Sequence, residues 1–117
     1  MNIFKKLAVY VVTIYARHLY SKARRSADAL YRKNHRMYYV ASRTFHPDQL
    51  TIYDKYRFKM EKEVFGTAAR LLTLVSLKHG CYYHTPDTAG NQAMTEREME
   101  VARRFFIRER LQKAKLI

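Results

Sequence analysis

His79, Cys81 and His84 place three ligand-type side chains in one short stretch, and the chemistry open to them is metal coordination by imidazole and thiolate. A closed zinc site needs four such ligands, usually in paired units such as CxxC, and this spacing matches no such unit. Nucleophilic chemistry needs Cys81 beside an oriented imidazole, and five scattered histidines do not specify one. A lone Cys81 reads more simply as a small buried apolar residue. The acids stand at helix starts and on helix faces, where capping accounts for them without paired-carboxylate chemistry. Three separated glycines build no phosphate-cradling loop. The chain therefore reads as non-enzymatic, without metal or cofactor.

The bases carry more information. Twenty-three Lys and Arg against ten Asp and Glu give a net charge of +13 and a pI near 10.1. A field of this sign attracts polyanions, and +13 exceeds what solubility alone asks of a small domain. Residues 1–46 hold ten of the bases against the single acid Asp28. The candidate contact residues are Arg17, Lys22, Arg24, Arg25, Lys33 and Arg36, joined by Arg103, Arg104 and Arg108 from the C-terminal region. Their expected ligand is nucleic-acid phosphate or another polyanion. An acidic protein face is the second partner class, and a membrane surface is less favoured. Tyr10, Tyr15, Tyr20 and Tyr31 are interleaved with bases, and Tyr38 and Tyr39 follow. Single-stranded nucleic-acid binders stack bases on such rings, although amphipathic core edges use tyrosine in the same way.

These residues need elements to position them. The length fits one domain, 1–117. One cysteine excludes an intramolecular disulfide and suits a reducing compartment. Residues 1–25 begin like a targeting signal, but the apolar run is about half of the ~20 residues a span needs. It continues into ARHLYSKARR, not into a cleavage site. Helical spacing explains it better. Phe4, Leu7, Ala8, Val11, Tyr15, Leu19, Ala23, Ala27 and Leu30 make one stripe of a basic amphipathic helix over about 1–33, with Ser26 the place where a break would fall. Such a helix can be a core element with a solvated basic face, a phosphate-binding element, or a membrane-surface element.

Asn34-His35 predicts the helix exit. Alternation in Met37–Ala41 and Leu50–Tyr53 predicts a β-hairpin over about 36–53, with Pro47-Asp48 at the centre of a type I turn and a loop longer than two residues. One hairpin face must pack on helices. Its free edge could pair with a second copy to give a homo-oligomer. Asp54 should cap a helix from Lys55 to Phe65 closed by Gly66, and Thr67 another that ends before Gly80, together spanning 55–79. Cys81–Thr85 reads as extended. Thr95 and Glu98 form a capping box for a helix over 95–115, with Met99, Ala102, Phe105, Phe106 and Leu111 as its buried stripe. The fold class is α+β: a mostly helical single domain with a long N-terminal helix, the hairpin, and two to three C-terminal helices.

Two resemblances bear on function. His46-Pro47-Asp48 resembles the signature tripeptide of J-domain co-chaperones, with Phe45 before it and Phe58, Val64 and Phe65 near core positions of that fold. It implies a loop between antiparallel helices, with His46 and Asp48 as contacts. Gln49 replaces the usual Lys, Glu61 stands where an aliphatic residue belongs, and the Leu-Gly signature of the first helix is missing. More of the chain, about residues 20–112, resembles small basic proteins encoded by phages and mobile elements of gut bacteria. ADALYRKNHRMYYVA, LTIYDKYRF, CYYHTP and TEREMEVARRFFIRERL carry that likeness. It implies a setting, bacterial cytoplasm or phage particle, and no site residue.

Overall fold

The computed structural model describes residues 2–43, 46–65, 80–86 and 92–117. Helix α1 spans Ile3–Asn34 without a break at Ser26. Asn2 caps it, its side chain accepting from the Lys5 N–H at 2.8 Å. His35 ends it in the left-handed region at φ 56°, one residue later than Asn34 would have done, and its N–H donates to the Tyr31 carbonyl. The β-branched run Val11–Ile14 is accommodated in regular helix.

The expected stripe is only partly the core-facing one. Its N-terminal members Phe4, Leu7, Val11 and Tyr15 are exposed, and the buried line runs through Ala16, Tyr20 and Ala27. Every α1 residue in the core lies between Ala16 and Tyr31. The other described elements pack on that half of the helix, and Phe4, Leu7 and Val11 stay outside the described core.

Strands β1 (Tyr39–Arg43), β2 (His46–Tyr53) and β3 (Tyr83–His84) form one antiparallel sheet in the order β2-β1-β3. Tyr39 pairs with Tyr53 on one side and with His84 on the other. The Tyr82 N–H donates to the Val40 carbonyl at 2.8 Å, and the Thr85 N–H to the Tyr38 carbonyl at 3.0 Å. Thr85, fully buried, accepts from the Tyr38 N–H and donates to the Pro86 carbonyl, so burying it leaves no hydroxyl unmet. The free edge of β1 is thus filled by the chain itself.

The turn expected at Pro47-Asp48 is not there. Arg43 pairs with His46, leaving only Thr44 and Phe45 between the strands, and His46-Pro47-Asp48 belongs to β2. The register shifts between Ser42 and Arg43, whose partners are Leu50 and His46. Residues 47–49 are the excess on β2, and a bulge on an edge strand is where a ladder tolerates proline. A strand is also not the loop between antiparallel helices that the J-domain resemblance implies.

Alternation then builds two layers. Tyr38, Val40, Leu50 and Ile52 join Ala16, Tyr20, Ala27, Tyr82, Tyr83 and Phe106 in the main core. Ala41 and Tyr53, one residue on and therefore on the opposite face, pack with Phe58. Phe58 comes from α2 (Lys55–Phe65), whose first turn Asp54 caps by accepting from the Arg57 N–H at 2.7 Å. The last helix, α3 (Glu96–Lys113), starts at Thr95 with both hydrogen bonds of the capping box at 3.1 Å. Phe106 is its buried residue, while Phe105 is 59% exposed. Neighbours on a helix point about 100° apart, so only one of the pair can face the sheet. The helix expected from Thr67, with Gly66 and His79, and residues 87–91 of the polar loop lie outside the described residues.

The core has an alkaline weak point. Burial pushes the Tyr20 hydroxyl up to about 12, against a pull from the nearby Arg24 and Arg103 guanidinium groups. Burial first, then the hydrogen bond to Asp28, push Tyr83 higher still. The fold keeps protons that unfolded tyrosine releases near pH ~10, so this stabilisation is complete below that pH and is lost as pH rises toward about 12. Urea midpoints should fall through that window. Tyr20→Phe should lower neutral-pH stability by about 1 kcal/mol and make the alkaline decline shallower.

Candidate functional site

The nine candidate bases fall into separate groups rather than one face. Arg17 and Arg24, seven residues apart, share a line along α1 beside the buried one. Arg103 of α3 meets Arg24 at a small pocket lined by Tyr20, Arg24, Glu96, Met99, Glu100 and Arg103. Arg24 Nη1 also donates to Met99 Sδ at 3.5 Å. Both guanidinium groups lie close enough to pull on the Tyr20 hydroxyl.

Lys22 belongs elsewhere. It lines a cleft of about 600 Å³ with Tyr15, Leu19, Ser26, Leu50, Ile52 and Arg110. Arg25 is exposed and lies on the helix face opposite the buried line. Lys33 sits with Arg32 in the last turn of α1, where cations complement the helix dipole. Arg104 pairs with Glu100 at 2.6 Å and shares the outer side of α3 with Arg108, one turn on. Arg36 has a structural role: Nη1 lies 3.5 Å from Asp54 Oδ2 and the guanidinium 5.1 Å from the centre of the Tyr56 ring. It ties the entry of the hairpin to the start of α2.

The tyrosines divide as well. Tyr20 and Tyr38 are buried, Tyr20 donating to the Tyr82 carbonyl at 2.8 Å and Tyr38 accepting from Asn34 Nδ2 at 2.8 Å. Neither can stack a base. Tyr10 and Tyr15 are exposed and can. Sequence reasoning passed over Arg110, whose guanidinium lies 5.2 Å from the Phe106 ring centre. The signal was present, since the two are four residues apart on one helix.

The acids decide the electrostatics. Asp28 accepts from the Tyr83 hydroxyl at 2.5 Å and Glu109 from the Tyr82 hydroxyl at 2.8 Å. Asp54 caps α2 and pairs with Arg36, and Glu98 closes the capping box. Backbone and side-chain hydrogen bonds at Thr95 hold the Glu98 carboxyl below its ordinary range. Among the described residues the ion pairs are Arg36–Asp54 and Arg104–Glu100. Arg17, Lys22, Arg25, Lys33 and Arg108 are exposed and stand in neither.

A second cleft, about 740 Å³, lies between the β3 region and α3 and is lined by residues that include Cys81, His84, Met94, Val101 and Phe105. Among the described residues no group of three His, Cys, Asp or Glu is placed to hold a metal ion. No described helix is long and apolar enough to cross a membrane. Compared with family models, with curated proteins and with solved structures, the chain has no significant match.

Bases with different partners should respond differently to truncation. Arg36→Ala should lower stability by roughly 0.5–1 kcal/mol through loss of its ion pair and ring contact. Arg25→Ala should stay within about 0.5 kcal/mol of the parent. Paired thermal melts check both.

Proposed function

We propose that this protein is a non-enzymatic binder of nucleic-acid phosphate without strong sequence preference. The observation that carries the reading is the asymmetry of partners: apart from Glu96, the acids near the α1–α3 bases are held by caps, tyrosine hydroxyls and two ion pairs, while most candidate bases remain at the surface. Arg24 and Arg103 form the centre, where α1 and α3 converge, and Arg17 continues it one line along α1. Arg25, Lys22, Lys33 and Arg108 extend the positive surface around them. Arg36 and Arg104, already paired, contribute less. The exposed Tyr10 and Tyr15 offer rings to unpaired bases. Contacts of this kind fix a polyanion without reading its sequence. A phage particle or a bacterial cytoplasm, as the likeness of residues 20–112 implies, is a setting rich in such ligands.

Titration of labelled single- and double-stranded DNA across a salt series tests the proposal. Affinity should fall steeply with salt. Arg24→Glu with Arg25→Glu should weaken binding at least about tenfold and lower the slope of log K against log salt by about 1–2. Absence of binding at low salt would sink the reading.

A further inference from the structure

The outer face of α1 changes character along its length. Phe4, Leu7, Val11 and Ile14 recur every three or four residues and are 79%, 55%, 63% and 46% exposed. Ile3, Tyr10 and Tyr15 widen the same arc. Helical spacing puts this arc opposite the line of Ala16, Tyr20 and Ala27 that enters the core. Beyond Tyr15 the same face carries His18, Lys22 and Arg25, all exposed. One side of a single helix is thus apolar for its first half and basic for its second.

We infer that this face docks on an anionic lipid bilayer, the apolar half entering the interface and the basic half meeting the headgroup phosphates. Ile3 to Tyr15 measures about 20 Å at 1.5 Å per residue, short of the ~30 Å hydrocarbon core, so the helix lies in the surface instead of crossing it. Tyr10 and Tyr15 suit the boundary, with an apolar ring and a polar hydroxyl. The charge pattern selects the occupant. From Asn2 to Ala27 the chain has six bases, Lys5, Lys6, Arg17, Lys22, Arg24 and Arg25, and no acid. A second copy laid parallel on this face would oppose like charges, and one laid antiparallel would set each basic half on the other's apolar half. Nucleic acid would leave the aliphatic arc uncovered. An anionic bilayer satisfies both halves of the face.

Flotation with vesicles of phosphatidylcholine alone, and of phosphatidylcholine mixed with phosphatidylserine, tests this. The full chain should float with the mixed vesicles and much less with the neutral ones. The triple substitution Phe4→Ser, Leu7→Ser, Val11→Ser alters only exposed positions, and circular dichroism verifies that the helix persists. It should lower partitioning roughly a hundredfold while leaving DNA binding in place, which separates this face from the nucleic-acid proposal. No flotation of the parent chain, or undiminished flotation of the triple variant, overturns the inference. So does a concentration-dependent dimer in sedimentation that the triple substitution abolishes while the parent ignores vesicles.

Discussion

The fold depends on what happens at Tyr20. Its hydroxyl donates to the Tyr82 carbonyl, which fixes the height of the β3 segment against α1. Its ring lies 6.3 Å from Phe106 of α3, and Phe106 in turn meets Tyr82 at 5.1 Å, edge to face. Three elements distant in sequence are therefore held by one side chain that supplies both apolar area and a directed hydrogen bond. A phenylalanine would keep most of the area and leave a carbonyl to find another donor. Small neighbours make the arrangement possible, because Ala16 and Ala27 let the other elements approach the α1 backbone while Tyr20 fills the space between.

Once β3 is set there, β1 becomes the central strand and both of its edges are used. Its alternating residues then divide the molecule. Val40 faces α1 and α3, and Ala41 faces Tyr53 and Phe58. The second cluster is small, but its edge-to-face contact between Tyr53 and Phe58 fastens α2 to the opposite sheet face. A two-stranded ribbon alone could not hold this many aromatic residues in place. The short third strand, two residues long, completes it through hydrogen bonds at Val40 and Tyr38.

Local signals are legible in the sequence. Asp54 and Thr95 cap the helices they were expected to cap, and α2 has the expected ends, because a cap involves residues only three positions apart. What depended on distant partners was not legible. The spacing in the first helix fits two apolar lines, and only the position of Tyr82 and Phe106 decides that Tyr20 faces inward and Leu7 does not. Pro47-Asp48 carries turn chemistry, yet pairing of Arg43 with His46 absorbs it as excess residues on an edge strand. Phe105 and Phe106 are equivalent in composition and separated by a rotation that the sheet selects. The candidate bases could be named from sequence, but their grouping into an Arg24–Arg103 pair, an Arg36 tie and a Lys22 cleft required the crossing of α1 and α3.

The electrostatic pattern follows from the same packing. Tyr82 and Tyr83 come from the β3 segment that Tyr20 positions, and their hydroxyls donate to Glu109 and Asp28. Asp28 is the only acid in the first 46 residues, so its engagement leaves that region with ten bases and no acid free of a hydrogen-bonded partner. Carboxylates bound internally still count toward net charge, but their attraction is directed inward and at short range. The charge along α1 is predominantly positive, with Asp28 its single acid. Packing and charge distribution are thus linked: the Tyr83 hydroxyl that helps to seal the core beneath α1 also engages the one acid of that helix.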